Sequence, residues 1–400
     1  MKLLLKKCLF TLLILTIYEL GSLLILPGFP SKDYISIIGQ NAYINFVSSN
    51  FGTRITIPGI FALGMGPYMT ALIVWQTITV MYEDTFKKLS QRTVGIWQKF
   101  ITLVLSILQS IATAVLFMNY KPQLNGASKT SFCIMTIVIL TGGAMFIVWL
   151  ADLNARSGIG GTSILIIPGL LKNLPSVLNS GLKNPIDMNF TAIVLLVLIV
   201  IVFSLMSVYI NQAEIRIKVE RVSVNNNLTG SYLPIKLLAS GAMPFMFALS
   251  LYSIPLMVLP KIKLNNSTYN FISNTFSFHT FRGILLYGIV IIILGYGFAF
   301  VNVRPHTIAR NLQKNGDYLL NVIPGSSTEK YITNKLYIAI FISNIYIVFI
   351  ALLPLFIGMY VPQITNFSFL FGSLLILITM LDNLRQEIFT LFSKKQYNMF

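Results

Sequence analysis

The chain reads as an all-α membrane protein of ten transmembrane helices, on three observations. Of its 400 residues, 55% are hydrophobic and only 10% charged. The mean hydropathy of +0.77 is outside the range of ordinary soluble domains. About ten runs approach the roughly 20 apolar residues that a spanning helix needs, and they use nearly the whole chain, so no sizeable soluble domain remains. Third, residues 52–79, GTRITIPGIFALGMGPYMTALIVWQTIT, break their own apolar run twice, at Pro58–Gly59 and at Gly64-Met65-Gly66-Pro67. Irregular backbone at membrane depth survives only where protein buries it or where it lines an aqueous cavity. That stretch predicts a helix in two pieces, the first folded into the membrane plane beside a pore or central binding site.

The spans fall at 4–26, 59–81, 97–119, 131–151, 162–178, 190–211, 234–259, 281–303, 335–358 and 368–391. Residues 3–26 are apolar for too long, and lack the small-residue cleavage site, to be a removable signal peptide; they are the first span. Between spans 1 and 2, NAYINFVSSNFGTRITI (41–57) is too polar to span and too apolar for a solvated loop. A short re-entrant segment fits it better than a helix lying on the outer leaflet. Span 5 opens with SGIGGTSILIIPG (157–169), whose glycines permit close backbone approach and whose Pro168 interrupts the helix. Span 7 opens with LPIKLLASGAMPFMFALS (233–250), again small residues and a central proline. Interruptions in both parts of the chain suggest two pseudo-symmetric five-helix halves, 1–178 and 179–400. Two cytoplasmic loops have their own patterns. In 212–233, IRIKVERVSV alternates apolar and polar residues as a strand or hairpin does, before an Asn225-Asn226-Asn227 turn. In 304–334, TIARNLQKNGDYLL reads as a helix with a basic face, followed by a Pro324–Gly325 turn.

The net charge of +17 would suit a nucleic-acid binder, but its placement argues against one. With the N-terminus in the cytoplasm, 20 of the 29 lysines and arginines fall in cytoplasmic segments. The positive-inside rule then gives a multi-pass protein of the cell membrane with both termini cytoplasmic. Cys8 and Cys133 lie near opposite faces of the bilayer, too far apart for an intrachain disulfide, and read as apolar thiols.

Catalytic signatures are missing. There is no GxxxxGK[ST], HExxH, GxSxG or Cys/His cluster, and Gly295-Tyr296-Gly297 lies within a span rather than at a strand–turn–helix junction. His279 and His306 lie in opposite loops. No metal, no cofactor and no enzymatic activity is expected. Glu19 is almost the only acid near mid-membrane, too little for a proton or sodium relay; it reads as a helix-packing hydrogen bond, as do Gln76 and Gln109. The inferred interior is apolar. Met69 and Ile73 share a helix face, and Ile167 and Met246 sit near the breaks in spans 5 and 7. Converging, they would form a constriction that excludes ions by dewetting, with methionine supplying a deformable seal; scattered, they are ordinary helix packing.

Four ordered segments resemble the SecY family of protein-translocation channels. IPGIFALGMGPYMTALIVWQ (57–76) is similar to its second-span motif, and ADLNARSGIGGTSILII (151–167) to its RGIGNG-type junction before an isoleucine run. SYLPIKLLASGAMPFMFALS (231–250) is similar to its LPLK…AGxIPxIFAS entry into span 7. VRPHTIARNLQKNGDYLLNVIPGSSTEKYI (303–332) resembles its NPxxxAxNLxKxG…PGxxTxxYI loop. The resemblance implies two halves clamped around an hourglass pore. Its ring would be Met69, Ile73, Ser163, Ile167, Met246 and either Leu375 or Ile376. A plug at about 41–58, with Ile44, Phe46, Val47 and Phe51, would close it from outside. Gln76, Gln109 and Leu238 would border a lateral gate through which signal sequences enter membrane lipid. Arg216, Lys218, Arg221, Arg310, Lys314 and Ile323 would lie on loops that dock an ATPase or ribosome.

Departures from the pattern narrow the expectation. Ile323 stands where the family carries an arginine before Pro-Gly. The usually basic loop tip is Asn225-Asn226-Asn227, Leu238 replaces a polar asparagine, and the ring holds Ser163 and two methionines where isoleucine is usual. Altered docking surfaces imply an altered partner, as in the accessory SecY of Gram-positive bacteria. Such a channel would conduct serine-rich glycoprotein adhesins, driven by a dedicated SecA-like ATPase. Small SecE- and SecG-like membrane subunits and accessory secretion proteins would assist it, and no nucleic acid. The rival readings are a housekeeping SecY general preprotein channel and a secondary transporter or flippase, which would need more buried carboxylates than Glu19.

Overall fold

In lipid every backbone N–H and C=O must be satisfied within its own segment, and the apolar runs are accordingly helical. The computed structural model describes residues 2–28, 59–81, 90–118, 128–179, 190–221, 231–258, 275–278, 280–361 and 364–397. The plug residues Ile44, Phe46, Val47 and Phe51 lie outside the described residues. The helices are α1 Lys2–Ser22, α2 Gly66–Met81, α3 Gln91–Met118, α4 Lys129–Ser157, α5 Ile167–Asn179 and α6 Phe190–Gln212. They continue with α7 Met243–Val258, α8 Phe281–Val303, α9 Pro305–Asn315, α10 Ser326–Gly358 and α11 Thr365–Tyr397. Among the described residues, six stretches are long and apolar enough to cross a bilayer: Arg92–Val115, Lys129–Ser157, Val194–Gln212, Phe281–Asn315, Ser326–Gly358 and Thr365–Ser393. The helices α2, α5 and α7 have 16, 13 and 16 residues, short of the roughly 20 that an upright span needs.

Two compact units are present: Met1–Ile186 with Met380–Phe400, and Asp187–Thr379. In the first, α3 packs against α2 and α4, and α1 against α4. Residues 60–65 form successive turns rather than a helical first piece. They are wedged between two helices. The Ile60 N–H donates to the Leu24 carbonyl at 3.0 Å, and the Phe61 ring stacks on Tyr18 at 6.0 Å and Phe146 at 5.9 Å. Glycines make room: a Cβ on Gly21 would strike the Phe61 ring, and one on Gly143 the Ile60 carbonyl. The break expected in span 5 is also present, though its cause differs. A 3-10 segment at Ser163–Ile166 passes into α5 at Ile167, so Pro168 sits in the first turn, where its missing N–H costs nothing.

In the second unit α8 packs against α7 and α10, and α9 against α10. The expected hairpin is there. Strand β1 Glu214–Arg221 pairs antiparallel with β2 Tyr232–Lys236. Its other edge pairs with β3 Asp317–Leu319, so the segments after α6 and after α9 share one sheet of order β2-β1-β3. Period-two alternation decides its faces. Ile217 and Val219 are buried with Ile235, Leu319, Ala309 and Ile332, while Arg216 and Lys218 point to solvent. The expected start of span 7 at 234 needs correction. Residues 232–236 are strand and 237–242 are turns; β-sheet pairing claims Pro234–Lys236, and Gly241, at φ 62°, takes a conformation that suits glycine. Helix α7 begins only at Met243.

Candidate functional site

The expected pore residues are distributed over both units. In the first unit, Met69 is buried on α2 and Ile73 is half-buried one turn further on. Ser163 opens the 3-10 segment and Ile167 opens α5. These two do come together. Both line a cavity of about 150 Å³, alongside Gly160, Gly161, Met380 and Glu387. In the second unit, Met246 on α7 and both Leu375 and Ile376 on α11 are buried. Of the gate candidates, Gln76 and Gln109 are half-buried on α2 and α3, which pack together. Leu238 is buried in the turn after β2.

The cavity's floor is built by hydrogen bonds that sequence reasoning missed. Asn154, fully buried at the end of α4, donates through Nδ2 to the Ile159 carbonyl at 2.9 Å and the Gly161 carbonyl at 2.7 Å. The Ile159 N–H donates to Thr11 Oγ1 of α1 at 2.8 Å. The Gly160 N–H donates to Glu387 Oε2 of α11 at 2.8 Å. Gly160 and Gly161 have φ of 84° and 57°, a left-handed pair that turns the chain between α4 and the 3-10 segment. The GIGG in the sequence signals such a turn; the polar side chains that hold it carry no local signal.

Glu19 takes the role expected of it, with a charged partner. The hydrogen bond between helices is present, and its donor is a cation: the ammonium of Lys172 on α5 donates to the Glu19 carboxylate. The lysine falls inside the expected span 5, where hydropathy alone gives no sign of its partner.

The docking candidates all lie in the second unit. Arg216 Nε donates to Glu214 Oε1 at 2.7 Å, and its guanidinium stacks over Tyr232 at 4.8 Å. The hydrogen bond to Glu214, and secondarily the electrostatic influence of Tyr232 and Glu214, push its titration above the ordinary guanidinium range. Lys218 is exposed on the same strand face, and Arg221 ends β1. Arg310 and Lys314 are exposed on amphipathic α9, which buries Pro305 and Ala309 instead. Ile323 is 76% exposed. No group of three or more His, Cys, Asp or Glu is placed to hold a metal among the described residues. Cys8 and Cys133 are free thiols.

Comparison with known proteins matches the chain to one family. The family model for SecY matches residues 59–384. The accessory Sec system protein translocase subunit SecY2 of Leuconostoc gelidum is 31% identical over 407 residues, covering 99% of this chain and 96% of that protein. SecY2 of Streptococcus salivarius is 31% identical over 98% of the chain and 96% of that protein. The protein translocase subunit SecY of Halalkalibacterium halodurans is 29% identical over 88% and 86%. A solved SecY, described for a plug domain that stabilises the closed state of its translocation channel, superposes with a TM-score of 0.64 at 14% identity. It covers 97% of this chain and 92% of its own. The family model spans most of the chain and the relatives span nearly all of it: this multi-pass membrane protein belongs to the SecY family.

Proposed function

We propose that the chain is the channel subunit of an accessory Sec system, a non-enzymatic conduit that exports serine-rich surface glycoproteins across the cell membrane. The observation that carries the accessory assignment is the near-full-length likeness to SecY2 proteins. The exposed Ile323, where the family carries an arginine before Pro-Gly, supports it by implying a changed docking partner. In this reading ten spans form two halves, 1–178 and 179–400, with both termini cytoplasmic. Met69, Ile73, Ser163, Ile167, Met246 and Leu375 form the ring, residues 41–58 plug it, and Gln76, Gln109 and Leu238 border the gate. A SecA-like ATPase docks on the sheet and α9, and small SecE- and SecG-like subunits brace the channel. Placing one charged residue at the centre of a lipid-exposed helix costs roughly 2.5–3.5 kcal/mol on insertion scales. A polar polypeptide therefore needs a wet path, and the driving free energy must come from the ATPase.

The 29% identity to a general SecY keeps the housekeeping channel as the second reading. Deleting the gene in its host, followed by an inventory of surface and secreted proteins, separates the two. Viable cells lacking one or a few large serine-rich surface proteins are expected. A deletion obtainable only with a second copy supplied would establish the housekeeping channel instead.

A further inference from the structure

We infer that α1 is a splint for α5, and that Glu19 and Lys172 are positioning residues which set the rotation of the pore-side segment 158–172. The inference rests on the ring reading, since Ser163 and Ile167 matter to conduction only there. Helix α1 reaches this segment at two heights. Near its middle, Thr11 Oγ1 accepts the Ile159 N–H at 2.8 Å, while its own hydroxyl donates to the Lys7 carbonyl. Eight residues on, about 12 Å along the axis, the Glu19 carboxylate pairs with Lys172. The base of the segment is held from two further sides, by Asn154 on α4 and Glu387 on α11. Beyond the base, α5 itself is a helix of only 13 residues, and the ion pair is a directional tie on it.

Stability alone is a poor account of that pair. With 40% and 26% of their side-chain surfaces accessible, Lys172 and Glu19 form an open pair of the kind that adds little to stability, whereas the best-attested use of an ion pair is to specify register. Lys172 also interrupts an otherwise apolar run, Ile166 to Leu171, where a leucine would insert more readily. On the ten-span reading this lysine lies inside span 5, where an ionisable group is a functional candidate. Ile167 precedes Lys172 by five residues, so any twist of α5 about its axis moves Ile167 and the lysine together, and the pair fixes the side of the cavity on which Ile167 stands.

The test is the resting ion conductance of the purified full chain in planar bilayers, with its thermal midpoint measured in parallel. Three variants are compared: the apolar pair Glu19→Leu/Lys172→Leu, the reversed pair Glu19→Lys/Lys172→Glu, and Ile167→Gly as the ring control. The apolar pair keeps helix packing but lacks the tie, and is expected to raise conductance roughly fivefold or more; the reversed pair is expected to return it to near the parent. Parent-like conductance for the apolar pair beside a leaky Ile167→Gly would overturn the splint and leave the ring intact. A silent Ile167→Gly would bring down the ring reading and the splint with it. Equal leak from the apolar and reversed pairs would also overturn the inference, since a salt bridge acting as a tie is restored by reversal. Should the leucine pair fail to accumulate, Glu19→Gln is read in its place by the same criteria.

Discussion

Replacing Asn154 with alanine is the sharpest probe of the turn beneath the cavity. The side chain is fully buried and donates to two carbonyls, Ile159 at 2.9 Å and Gly161 at 2.7 Å. A buried acceptor left without its donor costs about 1–3 kcal/mol. Ile159 is buried and Gly161 only half-buried, so the second loss lies toward the low end. The sum is about 3–4 kcal/mol. Against it stands Asn154 Oδ1, buried with no hydrogen-bond partner, whose removal offsets about 1–2 kcal/mol of desolvation already present. The net is about 2 kcal/mol, a factor of roughly 30 in the opening equilibrium. Trypsin reads it. Arg156 is exposed in the last turn of α4, two residues from Asn154, and at low protease the cleavage rate tracks the population of the opened form. The variant in detergent is expected to be nicked at Arg156 roughly 30 times faster than the parent, while cleavage at Lys218, in the second unit, stays unchanged. An unaltered rate at Arg156 would refute the claim that these two bonds hold the turn, and equal acceleration at both sites would mean global unfolding.

Two glycines on α8 should respond oppositely to alanine. Gly295→Ala would drive a Cβ into the Asn344 side chain and lower thermal stability by about 1–3 kcal/mol, whereas Gly297→Ala, which meets nothing, should gain up to about 1 kcal/mol of helix propensity; equal effects would mean that α8 and α10 pack differently. Deleting residues 43–54 is expected to leave a folded protein with raised resting conductance in planar bilayers, and an unchanged conductance would count against the plug. A cysteine at Met69, with Cys8 and Cys133 replaced by serine, should crosslink to a stalled, partly exported chain; a strong crosslink confined to an outer loop would remove Met69 from the ring.

What was legible in the sequence was whatever one segment decides alone. The span expected at 281–303 is α8 to the residue, and that expected at 190–211 ends one residue short of α6, because a long apolar run has no alternative to helix in lipid. The alternation in 215–219 gave the face as well as the existence of β1. Features that depend on a distant partner were hidden. Strand β3 is three residues, Asp317–Leu319, and becomes a strand only because β1 offers an edge. Gly21 and Gly143 look like ordinary small residues until Phe61 and Ile60 arrive beside them. Span 7 was begun too early because Leu233 to Ala242 is apolar enough for a helix, and hydropathy does not register that β1 competes for the same backbone hydrogen bonds. Ser163 and Ile167 of the cavity lining are legible, whereas Thr11, Asn154 and Glu387 are not: nothing adjacent in sequence marks a hydroxyl, an amide and a carboxylate that meet on the turn beside it.

The three-stranded sheet changes how the two loops that form it must respond to a partner. Separate loops would yield independently, each at the cost of its own ordering. Here Val219 pairs with Leu319 and Arg221 with Asp317, so displacing 212–233 displaces the segment that follows α9 as well. Beneath the sheet, Ile217, Val219 and Leu319 share a buried cluster with Ala299 of α8 and Ile332, Leu336 and Ile340 of α10. Packed interiors are too dense to deform continuously, so a push on the exposed Arg216–Lys218 face is passed to the ends of α8 and α10 rather than absorbed. Asn302 of α8 extends the same body, donating to the Ala239 carbonyl at 3.1 Å in the turn that leads into α7. A partner that binds only the sheet thus bears on three helices of its unit, one of them carrying Met246.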